Sequence, residues 1–182
     1  MSKQINLATL IVVLFVVILV GFATASTLTI RPNGQGYYAN WTNVGYNSSS
    51  EWLCVNENSV NNSDYLVIWS GNVLESFLFE DTGLTNETIN NITFYFYAKS
   101  YNLTQYQFQS LIRVNSTKNI LGSVKNLTSN YNYYAQVYST NPATGNPWTV
   151  SEINELESGM KSTQSVNGGG IVSQTYTVVD YN

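Results

Sequence analysis

The stretch NITFYFYAKSYN, residues 91–102, constrains this chain more than any other. Thr93, Tyr95 and Tyr97 alternate there with Phe94, Phe96 and Ala98. A period of two sends successive side chains to opposite faces of an extended chain. The segment is therefore read as a strand with one apolar face and one hydroxyl-bearing face. Shorter β-type runs recur on both sides of it: TLTI, SEWLCVNE, YLVIWS, FLFE, YQFQSLIRVN, NYYAQVYST and IVSQTYTVVDY. Turn signals separate many of them, among them Pro32-Asn33-Gly34, Gly71-Asn72, Asp81-Thr82-Gly83 and Gly168-Gly169-Gly170. About eight strands without a βαβ rhythm predict an all-β fold, a single antiparallel β-sandwich over residues 26–182. Neither an internal repeat nor a linker divides it.

One segment breaks the pattern. In NPATGNPWTVSEINELESGM, residues 141–160, Thr149 and Glu152 form a T-x-x-E capping box, so a helix is expected to start at Val150. It is expected over residues 150–158, with Gly159 as the left-handed C-cap. Val150, Ile153, Leu156 and Met160 share one face at helical spacing, and Glu152, Glu155 and Glu157 take the other. A short helix with one apolar face, lying between the last strands of a sandwich, is expected to plug the open end of the core.

With these elements in place, the mature chain resembles jelly-roll-like β-sandwich domains of phage and virus structural proteins and of secreted prokaryotic, in particular archaeal, surface proteins. The matching residues are TIRPNGQGYYANWTNVG, WLCVNE, NNSDYLVIW, FLFED, ITFYFYAKS, YNYYAQVYSTNPATGNPWTVSEINELESGM and VSQTYTVVDY. The N-P-x-T-G-x-x-W-T-x-x-E-I-N-x-L-x-x-G-M segment is the most specific of them. The resemblance implies a jelly-roll fold in an exposed structural setting and carries over no catalytic residues.

The first 26 residues set the compartment. Lys3 precedes an apolar run from Leu7 to Phe22, followed by Ala23-Thr24-Ala25, which fits a signal-peptidase site with a mature start at Ser26. The run is also nearly long enough to span a bilayer. Residues 1–25 are therefore expected to be either a cleaved signal peptide or a retained N-terminal hydrophobic helix, with membrane contact through residues 7–25. The leader lacks the basic-then-Gly/Ala cleavage signature of archaeal type IV prepilins. Either way the body is expected outside the cytoplasm: extracellular, at the cell surface or on a virion surface. N-x-[ST] sequons at Asn40, Asn47, Asn61, Asn86, Asn91, Asn102, Asn115 and Asn126 are candidate sites for N-linked glycans in that compartment. Asn47, Asn61 and Asn86, in Asn/Ser-rich loops, are expected to be modified most readily.

Charge and residue inventory exclude several function classes. Only 10% of residues are charged and the net charge is −4. No Lys/Arg cluster is present to neutralise phosphates, so nucleic acid is not an expected partner. With His 0, His-based triads and His-ligated zinc are excluded. The single cysteine, Cys54, cannot close an intrachain disulfide and is expected to be a buried, reduced thiol. Alternation in EWLCVNE places it on one strand face with Trp52.

Nothing in the spacing of the carboxylates selects a glycosidase-like pair. Glu80-Asp81 could offer oxygens to Ca²⁺, but a solvated turn is the simpler expectation. Glu57 is expected to pair with a backbone group or with Arg31. No catalytic residue, metal or cofactor is expected. Trp41, Trp52, Trp69 and Trp148 could stack on sugars, although core packing explains most of them.

The leading expectation is a non-enzymatic structural subunit of an extracellular assembly (a surface filament, envelope layer or virion) that forms a homo-oligomer or polymer. The alternative is a surface-displayed carbohydrate-binding or adhesive module; a hydrolase comes third. Low charge, high Tyr content and unpaired strand edges suit lateral association. The candidate assembly segment is Ser26, Thr27, Leu28, Thr29, Ile30 and Arg31, which could pair with its own sheet or add to that of a neighbouring subunit. Sequon density at low charge points to an archaeal or archaeal-virus origin.

Overall fold

A computed structural model of the chain describes residues 24–45, 50–101, 106–114, 118–163 and 168–182. The expected leader helix lies outside the described residues, as does the expected membrane contact up to residue 23. No helix among the described residues is long and apolar enough to cross a membrane.

Eleven strands follow one another: Ser26–Ile30 (β1), Pro32–Gln35 (β2), Thr42–Val44 (β3), Tyr65–Ile68 (β4), Leu74–Phe79 (β5), Ile89–Tyr101 (β6), Gln107–Val114 (β7), Lys118–Asn126 (β8), Asn132–Tyr138 (β9), Glu157–Ser162 (β10) and Gly169–Tyr181 (β11). They form two antiparallel sheets. The first is ordered β3-β4-β11-β6-β9, with β1 also paired to β11; the second is ordered β2-β5-β10-β7-β8. The all-β, jelly-roll-like sandwich expected from the sequence is the observed fold.

Long-strand alternation builds the core. Ile92, Phe94, Phe96 and Ala98 of β6 are fully buried between the sheets. The Phe94 ring meets Phe79 of β5 at 6.3 Å, and Phe96 meets Phe108 of β7 at 6.1 Å. Burying rings of this size is the main favourable contribution to such a fold.

One edge of β11 is shared. β4 pairs with Gly170–Val172, whereas β1 pairs with Thr177–Tyr181. Between them, the Thr175 N–H donates to the Val55 carbonyl at 2.8 Å. This arrangement corrects the reading of EWLCVNE as a strand. Glu51–Cys54 is a short 3-10 turn, and Val55, which follows it, brings its carbonyl into that gap. Cys54 is buried as expected, while Trp52 is only partly buried and shares no strand face with it.

The plug helix is real but shorter than expected. It spans Val150–Asn154 (α1), and both halves of the capping box are made. Glu152 N–H donates to Thr149 Oγ1 at 3.2 Å, and Thr149 N–H donates to Glu152 Oε2 at 2.9 Å. Asn141, itself fully buried, donates from Nδ2 to Glu152 Oε1 at 2.8 Å, tying the preceding loop to the cap. Ile153, Leu156 and Trp148 are buried in the core, as a plug requires.

Gly159 is not a C-cap. It lies in β10, the central strand of the second sheet, where a Cβ would meet the Glu75 carbonyl oxygen and come within 2.7 Å of Ser76 Cα. The glycine is there for close strand approach. Helical spacing misled because Ile153, Leu156 and Met160 are all buried, whichever element carries them.

Candidate functional site

The two sheets differ on their outer faces. The second sheet is covered near β5 and β10 by the loop that follows β2. There Gly36 N–H donates to Ser76 O at 2.9 Å, Tyr37 N–H donates to Glu157 Oε1 at 2.7 Å, and the Arg113 guanidinium lies 4.0 Å over the Tyr37 ring. The first sheet instead turns tyrosines outward. The alternation that buries Phe94 and Phe96 leaves Tyr95, Tyr97, Lys99 and Tyr101 on the opposite side of β6.

Register then gathers partners around them. Tyr97 is opposite Tyr133 of β9 on one side and Gln174 of β11 on the other; Tyr95 is opposite Ala135 and Tyr176. The rings touch. Tyr95 stacks on Tyr176 at 4.9 Å and Tyr97 on Tyr131 at 5.1 Å. Tyr133 lies 4.6 Å from Tyr97 and 6.1 Å from Tyr176. Cross-strand pairs of this kind also stabilise the sheet.

A β-bulge shapes the polar part of the face. The β6–β11 register shifts between Val172 and Gln174, which leaves Ser173 as an extra residue. Its hydroxyl donates to Asn62 Oδ1 at 3.0 Å and hydrogen-bonds the Tyr131 side chain. Gln174 is held between neighbours, accepting from the Tyr133 hydroxyl at 2.9 Å and donating to the Glu57 carbonyl at 2.7 Å. Burial pushes the Tyr131 phenol up to about 12, against the Ser173 hydrogen bond, which lowers it. Burial also raises Tyr133 and Tyr176. These hydroxyls therefore stay protonated across the physiological range, able to donate and to accept.

The face extends toward the other end of β6. A Cβ on Gly169, which is opposite Tyr101, would lie 2.7 Å from the Trp69 ring. A Cβ on the next residue, Gly170, would instead meet the core rings of Phe108 and Tyr106. Trp69 therefore lies on the outer side, 51% exposed, with its ring 4.7 Å from that of Tyr101, which is 42% exposed. From Tyr95 to Tyr101 the strand rise alone spans ~20 Å.

No family model matches the chain, and no curated protein does. Several solved structures are similar in shape, three of them as follows. A xylan-binding module described as CBM15 has TM-score 0.48 and 8% identity, over 86% of this chain and 95% of that one. The CBM22-1 xylan-binding domain of Paenibacillus barcinonensis Xyn10C has TM-score 0.44 and 12% identity, over 86% and 96%. The CBM22-1–GH10 modules of a Clostridium thermocellum endo-1,4-beta-D-xylanase, in complex with xylohexaose, have TM-score 0.46 and 10% identity over 85% of this chain. The chain spans only 25% of that last structure.

The residues singled out in the sequence fall in several places. Asn61 and Asn86 are exposed; the Asn61 side-chain oxygen accepts from Ser63 N–H at 3.1 Å. Asn40 is exposed, but its amide donates to the Leu74 carbonyl at 3.0 Å. Asn91 donates to Asp180 Oδ2 at 3.1 Å, and the Asn126 side-chain oxygen accepts from Gln107 at 2.6 Å. Asn47, Asn102 and Asn115 lie outside the described residues.

The segment Ser26, Thr27, Leu28, Thr29 and Ile30 is β1, paired within its own chain to β11. Arg31 follows it, donating from Nη1 to the Glu57 carbonyl at 2.9 Å and from Nε to Asn58 at 2.8 Å. Glu57 thus meets Arg31 through its backbone oxygen. Its carboxyl is pushed up to about 7, chiefly by burial and further by the neighbouring Asp64. Among the described residues, no group of three or more Cys, Asp or Glu is placed to hold a metal ion. Of the tryptophans, Trp41 and Trp148 are core residues, and Trp69 is the exposed one.

Proposed function

We propose that this chain is a non-catalytic carbohydrate-binding module, working outside the cytoplasm, that holds an extended glycan on the outer face of its six-stranded sheet. The observation that carries this reading is the contiguous patch of Tyr95, Tyr97, Tyr131, Tyr133 and Tyr176, backed by the bulge residues Ser173 and Gln174. A pyranose presents C–H groups on its ring faces and hydroxyls around its edge. Aromatic faces suit the first, and neutral phenols, Tyr133 being ordered by its hydrogen bond to the buried Gln174, suit the second. Pre-ordered side chains lose little further entropy on binding, which favours affinity. The length of the face suits a chain of several sugars better than a single one. The Glu57 and Asp64 carboxyls are hydrogen-bonded neighbours, an arrangement that suits a structural role better than an acid and a base facing each other across a cleft.

A glycan array followed by titration calorimetry tests the reading. The protein should be captured by a polysaccharide, and Tyr97→Ala should weaken binding by roughly 1–2 kcal/mol, as for an aromatic anchor at the centre of an interface. Absence of binding across neutral and acidic glycans would overturn it.

A second reading, a structural subunit of a surface assembly, has one specific observation in its favour. Leu121 and Val124 on the edge strand β8, and Val137 on the edge strand β9, are 38%, 46% and 55% exposed. The two edges adjoin, Ser123 Oγ donating to Gln136 Oε1 at 2.7 Å. Exposed apolar edges invite pairing with another copy. Light scattering separates the readings: concentration-dependent polymers that Val137→Lys abolishes would support assembly, and a monomer throughout would count against it.

A further inference from the structure

The tyrosine patch is bracketed by positive charge, although the chain as a whole carries a net −4. Lys99 Nζ stands 4.7 Å over the Tyr131 ring, and the Arg31 guanidinium lies 5.4 Å from the Tyr176 centroid. Between these two rings lie Tyr97 and Tyr133, in mutual contact. Two of the seven basic residues in the sequence therefore flank one glycan-sized surface.

Neither cation has a carboxylate at ion-pair distance among the described residues; the Arg113–Glu157 pair belongs to the other sheet. The Arg31 guanidinium is oriented by neutral acceptors, the Glu57 carbonyl and Asn58 Oδ1, while its backbone N–H donates to Glu80 Oε2 at 3.1 Å. The acidic groups nearby engage other partners: Glu57 is buried beside Asp64, with Arg31 lowering the carboxyl that burial and Asp64 raise, and Asp180, four residues beyond Tyr176, is held by the Asn90 and Asn91 amides at 2.9 and 3.1 Å. A cation over an aromatic face is stabilised partly by the ring quadrupole, yet keeps its outward side available to an anion.

We infer that the face selects acidic polysaccharides, with Lys99 and Arg31 receiving carboxylates of uronic-acid residues while the tyrosines hold the sugar rings between them. This inference rests on the glycan reading above and narrows it to a substrate class. The planar guanidinium suits a carboxylate held by two parallel N–H···O bonds, and the ammonium acts as a point charge.

Calorimetric titration with oligogalacturonates and alginate oligosaccharides, each against its carboxyl-reduced counterpart, tests it. At least one acidic form should bind about tenfold tighter than its reduced partner, a difference of roughly 1.4 kcal/mol. That ratio should shrink as salt rises. Lys99→Gln should reduce it several-fold and Lys99→Arg should restore it; Arg31→Gln serves as the second variant. Equal affinity within every pair, or a ratio indifferent to Lys99, overturns the inference and leaves the glycan reading standing. Capture of neutral glycans alone on the array overturns only the acidic selectivity. No capture of any glycan removes the reading beneath it as well.

Discussion

Raising the pH from mildly acidic to mildly alkaline should destabilise this protein, and Glu75 is the main reason. Its side chain is fully buried. Oε2 accepts from the backbone N–H groups of Asn40 and Trp41 at 2.8 and 2.9 Å, and Oε1 accepts from Gln35 at 2.7 Å. Those donors favour the carboxylate but do not offset its lost hydration, and burial pushes the carboxyl from 4.5 up to about 7. The unfolded chain releases this proton near 4.5, whereas the folded chain keeps it until about 7. Across that window the folded state binds more protons, so unfolding free energy falls as pH rises. The stabilisation is complete below about 4.5 and lost once pH passes about 7.

The difference corresponds to about 3 kcal/mol, or roughly 6–12 °C in melting temperature for a domain of this size. Glu57, raised for the same reason, adds a smaller effect of the same sign, because it is partly solvated. Thermal unfolding followed by circular dichroism at several pH values, for the native sequence and for Glu75→Gln, measures the slope directly. The native melting temperature should fall with pH, and the neutral isostere should flatten most of that fall. A melting temperature that rises over the window, or a Glu75→Gln slope equal to the native one, would refute the reasoning.

Other substitutions probe the core. Leu156→Ala, at the buried exit of the plug helix, should cost about 2–5 kcal/mol in urea unfolding; a loss within error would mean that the helix closes nothing. Gly159→Ala should cost about 1–3 kcal/mol or more by forcing β10 away from Glu75 and Ser76, and a neutral outcome would contradict the strand pairing there. Cys54, fully buried and with its thiol pushed up to about 11 by burial and the neighbouring acids, should react with a thiol reagent only as fast as the protein opens. Rapid labelling under native conditions would place it elsewhere.

Local pattern carried much of the fold and little of the site. The β6 alternation was legible because one strand sees core on one face and solvent on the other, and the capping box because Thr149 and Glu152 are three residues apart. β10 was not, because ESGMKS joins a glycine to small serines, and its burial comes from strands on both sides. β8, KNILGSVKN, is largely exposed and shows little hydrophobic signal. The tyrosine face could be suspected from Tyr95 and Tyr97. Its completion by Tyr131, Tyr133 and Tyr176 depends on register between segments far apart in the chain. The Ser173 bulge, which aims the polar groups, leaves no mark in the residue order. The tryptophans were a natural place to look for a sugar platform, but Trp41 and Trp148 went into the core.

The central claim, that the outer face of the six-stranded sheet is the binding surface, is tested most directly by mapping backbone amide shifts while titrating an oligosaccharide that the array captures. The account predicts that the largest changes fall on Tyr95, Tyr97, Tyr131, Tyr133, Gln174 and Tyr176, with Lys99 at the margin and the second sheet quiet. Changes centred instead on β5, β10 and the loop carrying Tyr37 and Tyr38, with the tyrosine face unmoved, would contradict it.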